Sequence, residues 1–244
     1  MSAVLQKLPV AALLIGLLAA GLAVLAGLGT RWSLWHFRTG FTLLTWGAYG
    51  GIAAVVVALA ALVVARSSAK ALLFASAALV LGALVAGYPW QMKQRAQHVP
   101  PIHDITTDVH APPLFVAILP LRKEAPNPAE YGGRPVAEQQ QRAYPDLHPL
   151  SVDLPLTQAF DKAVAAAREM GWEMVDSNRQ EGRLEATDTT LWFGFKDDVV
   201  VRVAAADRGS RIDVRSVSRV GKSDLGTNAR RIREYLSKLK QPDM

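Results

Sequence analysis

The sequence predicts an α-helical membrane anchor of three transmembrane helices, followed by a C-terminal α+β domain whose antiparallel sheet has two helices packed on one face. Three observations predict it. Residues 1–99 contain no Asp or Glu and hold three long uncharged apolar runs. The chain then turns polar and rich in proline from Pro100 to Pro155. After that come an amphipathic segment, a set of short alternating runs and a second amphipathic segment.

Val10 to Gly29 is a run of 20 apolar or small residues, Phe41 to Ala65 gives 25 without a charge, and Ala71 to Tyr88 gives 18. About 20 residues cross a ~30 Å hydrocarbon core, so a membrane region of residues 1–90 with three spans is expected. The first run exceeds the ~7–15 apolar residues of a cleaved signal peptide and has no small-x-small end. Trp32, Trp35, Trp46, Tyr88 and Trp90 lie near span ends, where amphipathic rings favour the interface. With no charge inside a span there is no proton relay or ion pathway, which argues against a transporter. Small residues four apart, Gly47 with Gly51 and Ala83 with Gly87, let helix backbones approach closely.

The formal charge of +6 belongs to this anchor, because all 21 acidic residues follow Val99, against 20 basic ones. Lys and Arg flanking apolar runs anchor helices at headgroups, so no nucleic acid is expected as a partner. Lys7, Arg66, Lys70 and the amino terminus fall on one side of the bilayer, and Arg31, Arg38, Lys93 and Arg95 on the other. Four against four gives no orientation. The absence of Cys excludes disulfides, thiolate metal sites, cysteine nucleophiles and lipoprotein acylation.

Residues 91–154 read as a proline-rich arm, extended and irregular, with at most one short strand around Leu114 to Leu119. Tyr131-Gly132-Gly133 and Glu138 to Gln141 read as surface loop. The soluble α+β domain is then residues 155–244. Leu156, Phe160, Ala163, Val164, Ala167 and Met170 recur at helical spacing, with Pro155 at the start and Gly171 at the end. Strands are expected at Trp172 to Val175, Leu184 to Thr187, Leu191 to Phe195, Val199 to Ala205 and Ile212 to Val217. Hairpin turns fall at Asp197-Asp198 and Asp207 to Ser210. Leu225, Ala229, Ile232, Leu236 and Leu239 mark a closing helix that Ser223 or Asp224 can cap. Helix, antiparallel strands and helix in that order imply two layers.

Two stretches carry a family resemblance. His103-Asp104-Ile105-Thr106-Thr107-Asp108 with Pro112-Pro113, and RSVSRVGKSDLGTNARRI from Arg215 to Ile232, resemble the family known as domain of unknown function 1499, over roughly residues 101–239. The resemblance implies no biochemical activity. It implies an exported or membrane-tethered protein, hence a domain on the periplasmic side of a bacterial inner membrane.

The second stretch is also the most unusual in its chemistry. With Arg208-Gly209 as the turn, Arg202 and Arg215 are expected to face each other, and opposed like charges need a carboxylate or an anion between them. Gly221 and Gly226 flank the start of the last helix, whose free N–H groups favour negative charge. One reading is an anion site for a phosphate, carboxylate or lipid headgroup, formed by Arg202, Arg215, Arg219, Lys222 and Asn228. The other is architectural: Arg215 and Arg219 pair with Asp213, Asp188 or Asp224, Asp224 being an ordinary helix cap, and Gly221 and Gly226 shape the turn that follows Ser218.

His98, His103, Asp104, Asp108 and His110 offer imidazole and carboxylate, but their spacing fits no closed metal motif, and no metal or cofactor is expected. In turns such residues satisfy backbone groups. Ser216 and Ser218 lack a nucleophile elbow. Arg230, Arg231, Arg233, Lys238 and Lys240 form a basic helix face that suits solvent or anionic lipid. The sequence thus points to a non-enzymatic accessory or binding module in contact with the lipid bilayer. A structural subunit docked on a membrane-protein partner is one rival, and a hydrolase-like enzyme using His103 and Asp104 is another.

Overall fold

The computed structural model describes residues 3–64 and 68–241. Ala65, expected to close the second span, and Arg66 lie outside the described residues, as do residues 242–244. The chain divides into two compact units, Met1–Arg95 with Leu191–Gly194, and Ala96–Thr190 with Phe195–Met244.

The first unit is built on three long apolar helices, α1 (Ala3–Arg31), α2 (Phe37–Val64) and α3 (Ala69–His98). At 28 to 30 residues each they are about 42–45 Å long, which exceeds the ~30 Å hydrocarbon core. This is a membrane-associated protein. Glycine sets the helix spacing. A Cβ on Gly47 would meet Ala19 O at 3.2 Å, and one on Gly51 would meet Gly82 O at 2.8 Å. Such approach favours dispersion contacts where lipid removes the hydrophobic drive. The expected pair Ala83 and Gly87 is exposed instead, and α3 buries Ala75, Ala78 and Gly82. One residue rotates a helix by about 100°, enough to turn the expected stripe away from its neighbours.

In the second unit one six-stranded antiparallel sheet has the order β1-β6-β5-β4-β3, with β2 also on β6. Its strands are β1 (Asp104–Thr106), β2 (Leu150–Val152), β3 (Glu173–Asn178), β4 (Arg183–Thr189), β5 (Lys196–Ala205) and β6 (Ser210–Ser218). The helices are α4 (Arg134–Ala143), α5 (Leu156–Glu169) and α6 (Thr227–Lys240). As expected, α5 starts after Pro155 and ends before Gly171, whose φ of +73° suits glycine.

Both α5 and α6 lie on one face of the sheet. Phe160, Ala163, Trp172, Ile232, Tyr235 and Leu239 there meet Leu184, Ala186, Val199, Val201, Ile212 and Val214. Trp172 stacks on Tyr235 at 4.9 Å, and the Tyr235 hydroxyl donates to Ala163 O at 2.9 Å. On the reverse face, where side chains of the alternate residues point, Phe115 and Ile118 pack with Val200 and Val217.

Five local expectations are corrected. The segment before residue 155 holds more than the one short strand expected of an irregular arm, because β1 and β2 from it pair with β6 and α4 lies between them. Leu114 to Leu119 is not a strand: its backbone donors go to a buried carboxylate, described below, rather than to a ladder. Glu138 to Gln141 lies in α4, where Gln140 is 1% exposed. Leu191 to Phe195 is not a strand, and its first four residues group with the apolar first unit. Asp197 and Asp198 are buried inside β5 rather than in a turn, because partner arginines meet both.

Candidate functional site

The register of the β5–β6 hairpin decides where the arginines point. Arg202 pairs with Asp213, and Arg215 with Val200, so Arg202 and Arg215 are diagonal neighbours on the reverse face rather than directly opposed. The expected register is two residues out, because the strands pair through Ala205 and Ser210 at the turn.

Each reverse-face guanidinium is paired with a carboxylate. Arg215, fully buried, donates Nε and Nη2 to the two oxygens of Asp104 at 2.9 and 2.7 Å. It also donates to Pro113 O and Ala129 O, and lies between the Phe115 and Tyr131 rings. Burial, with Asp104 adding to it, pushes the Tyr131 hydroxyl up to about 12 despite Arg215. Arg219 grips Asp198 through Nε and Nη2, both at 2.8 Å, and Arg122 reaches the same carboxylate. Arg202 and Arg211 share Asp213 and Asp108.

These pairs hold irregular chain onto the sheet. Glu185, fully buried, accepts the backbone N–H groups of Val116, Ala117 and Ile118, the entry to a 3₁₀ turn at Leu119–Arg122. Arg122 donates to Asn127 O and Pro128 O, and Arg202 to Ala111 O. Asp108 accepts from His110 N and Ala111 N. Burial raises its pKa, but those donors with Arg211 and Arg202 outweigh burial and leave it below the ordinary value.

The helix-covered face holds a second polar knot, at one end of its apolar core. Asn228, fully buried, accepts from Ser216 Oγ and donates to Ser218 Oγ and His103 O. Arg231 joins Asp188, Asp197, Ser216 and Asn228. Asp224 accepts from Gly226 N and from Asn228 N in the first turn of α6, as expected of it, while Gly226 is the N-cap residue itself. Burial raises its pKa more than those two donors lower it.

The residues that carry the resemblance therefore build two buried networks, one on each face. A family model described as Protein of unknown function (DUF1499) matches residues 104–239, more than half of the chain. The chain belongs to this family. In this DUF1499 protein the three apolar helices are an added membrane region. No curated protein and no solved structure matches the chain.

The structure separates the five residues expected to share an anion. Arg202, Arg215 and Arg219 lie in three separate ion pairs on the reverse face. Asn228 belongs to the other face, and Lys222 is exposed. The architectural reading named the right kind of partner but largely the wrong residues. Arg215 meets Asp104 and Arg219 meets Asp198, while Asp213 pairs with Arg202 and Arg211, Asp188 with Arg231, and Asp224 takes a first-turn N–H group of α6, the role that reading gave it. Of the hydrolase-like pair, Asp104 has both oxygens on Arg215, while His103 gives its carbonyl to Ser218 N and Asn228. Among the described residues no three His, Asp or Glu gather as metal ligands.

Sequence reasoning missed Arg122, Glu185 and Asp198 as network members, and Gln140, whose side-chain amide bonds both N and O of Thr106. A charge flanked by apolar strand residues, as Glu185 is by Leu184 and Ala186, was the available signal. An open cleft of about 440 Å³ lies in this unit between the Thr107–Ala111 segment and the chain from α4 to Pro149, with Arg211 at its side.

Proposed function

We propose that this DUF1499 protein is a non-enzymatic, membrane-anchored accessory or binding module, with its soluble domain on the periplasmic side of a bacterial inner membrane. One observation carries the reading: Asp104, Asp108, Arg215, Arg219, Asp224 and Arg231 of the family motif are committed to internal ion pairs and hydrogen bonds, so this charge supports architecture. Recognition then belongs to the surface that this scaffold holds in place.

The test is a thermal-shift screen of the full chain in detergent against carboxylates, phosphates and headgroup analogues. A ligand-dependent rise in melting midpoint is expected, since a ligand that binds only the folded state stabilises it. Turnover of a generic ester or phosphate substrate that His103→Ala abolishes without loss of stability would overturn the proposal.

A second reading, a structural subunit of a membrane complex, is favoured by a ridge of exposed apolar side chains. Leu114 is 72% exposed, Val116 52%, Leu119 44% and Leu121 55%, a local density that marks interaction surfaces. Extraction in mild detergent followed by size analysis decides it: a monomer with no co-purifying protein removes this reading.

A further inference from the structure

We infer that the cleft beside Arg211 is the binding site of the module, and that its ligand is a small organic anion carrying a carboxylate or phosphate on a short apolar body. The inference rests on the binding-module reading and adds the place and the chemistry.

The cleft is preformed by polar contacts on both walls, buried on the Gln140 side and half-buried on the Asp108 side. On one wall, Asp108 draws in the N–H groups of His110 and Ala111 and holds Arg202 and Arg211. On the other, Gln140 locks α4 to β1 through two hydrogen bonds to Thr106, at 2.9 and 2.6 Å. A volume of about 440 Å³ lies within the ~300–1,000 Å³ of small-molecule sites.

Its remaining polar capacity consists mainly of donors. Arg211 spends Nε and Nη2 on Asp213 and Asp108, and Nη1 has no hydrogen-bond partner among the described residues. Its side chain is 41% exposed. His110 and His148, both exposed, stand on opposite walls, and each imidazole carries at least one N–H. The carboxylates at the site are committed: Asp213 is fully buried under two arginines, and Asp108 serves two N–H groups and the same two arginines. Two arginines against two aspartates leave no net charge, so directed donors rather than a diffuse field select the ligand. Val109, Tyr144 and Leu147 give the cleft apolar surface for the body of the ligand.

The experiment uses the full chain in nanodiscs and titration calorimetry with butyl phosphate, butyrate and inorganic phosphate. In phosphatidylcholine discs, butyl phosphate binds more tightly than inorganic phosphate. Arg211→Gln weakens it by about tenfold or more, the usual effect of losing a hydrogen bond to a charged group. His148→Ala also weakens it with the melting midpoint unchanged, which covers the case where Arg211→Gln perturbs the fold, and Arg208→Gln on the β5–β6 turn has no effect. Repeating the titration in phosphatidylglycerol discs separates the sources: lost binding identifies a lipid headgroup as occupant, and equal binding a free small anion. No heat with any probe in phosphatidylcholine discs, or binding that neither His148→Ala nor Arg211→Gln alters, overturns the cleft. Because the thermal-shift screen is independent of these variants, a positive screen with a silent cleft leaves the module reading standing and removes only this site.

Discussion

The two faces of one sheet are closed in different ways. On the face under α5 and α6 the contact is mostly apolar, with one polar knot at its end. On the reverse face an irregular covering is held by Asp104, Glu185, Asp198 and Asp213 with Arg122, Arg202 and Arg215. The difference follows from the backbone of the covering. A helix satisfies its own N–H and C=O groups and needs only an apolar stripe. Irregular chain leaves those groups open, and buried ones must find partners. The sheet supplies them from side chains: Glu185 takes three N–H groups, while Arg122, Arg202 and Arg215 give hydrogens to loop carbonyls.

The strongest way to break this contrast is Asp104→Ala, which strands the Arg215 charge in a buried site. Losing one partner of a buried pair costs about 3–5 kcal/mol, measured as a fall in the urea midpoint of the domain by hydrogen exchange. Replacing both partners, Asp104→Leu with Arg215→Met, is expected to recover only part of the loss, because Pro113 O and Ala129 O remain without donors. Full recovery would mean that the Arg215 bonds to Pro113 O and Ala129 O contribute nothing to holding the reverse face.

On the helix-covered face, Ile232→Ala removes a fully buried side chain and costs about 2–5 kcal/mol. The loss should be global, with exchange rising across all strands together. Glu185→Gln costs about 1–3 kcal/mol and should act locally, with faster exchange at Val116, Ala117 and Ile118 before the strands respond. Equal patterns from the two variants would dissolve the contrast.

Acid gives a smaller effect. Folding lowers the Asp108 pKa below its ordinary 3.8, so its stabilisation is complete above that value and is lost as pH falls through the depressed one. Asp146, lowered chiefly by its hydrogen bond from Arg233, acts in the same direction. Asp108→Asn should flatten the fall of melting midpoint below about pH 4, since loss of charge is then already built in. Smallest of all, Lys222→Ala on the exposed turn should stay within about 0.5 kcal/mol.

Much of the fold was legible because it follows from periodicity. α5, α6 and the β5–β6 hairpin each bury a regular stripe, and the three spans were read from the length of their uncharged apolar runs. Residues 104–152 were not legible, because their proline density conceals two three-residue strands whose partners lie far along the chain. Local patterns carry no information about such pairing. For the site, the sequence singled out Arg202, Arg215, Arg219 and Asn228, all buried or half-buried members of networks. Which carboxylate each would meet depends on register, and a shift of two residues was enough to change the partners of Arg202.

The bond from Arg215 to Asp104 spans 111 residues of chain. At the ~5–20 residues per second of synthesis, Asp104 leaves the ribosome about 6–20 s before the arginine that neutralises it exists. The reverse-face covering therefore cannot close as it emerges, and for that interval Phe115 and Ile118, buried once the domain is folded, are open to holdases and proteases. The last strand made, β6, holds both β1 and β2. A chain truncated before Ser210 should thus be degraded as an unfolded tail on an inserted anchor.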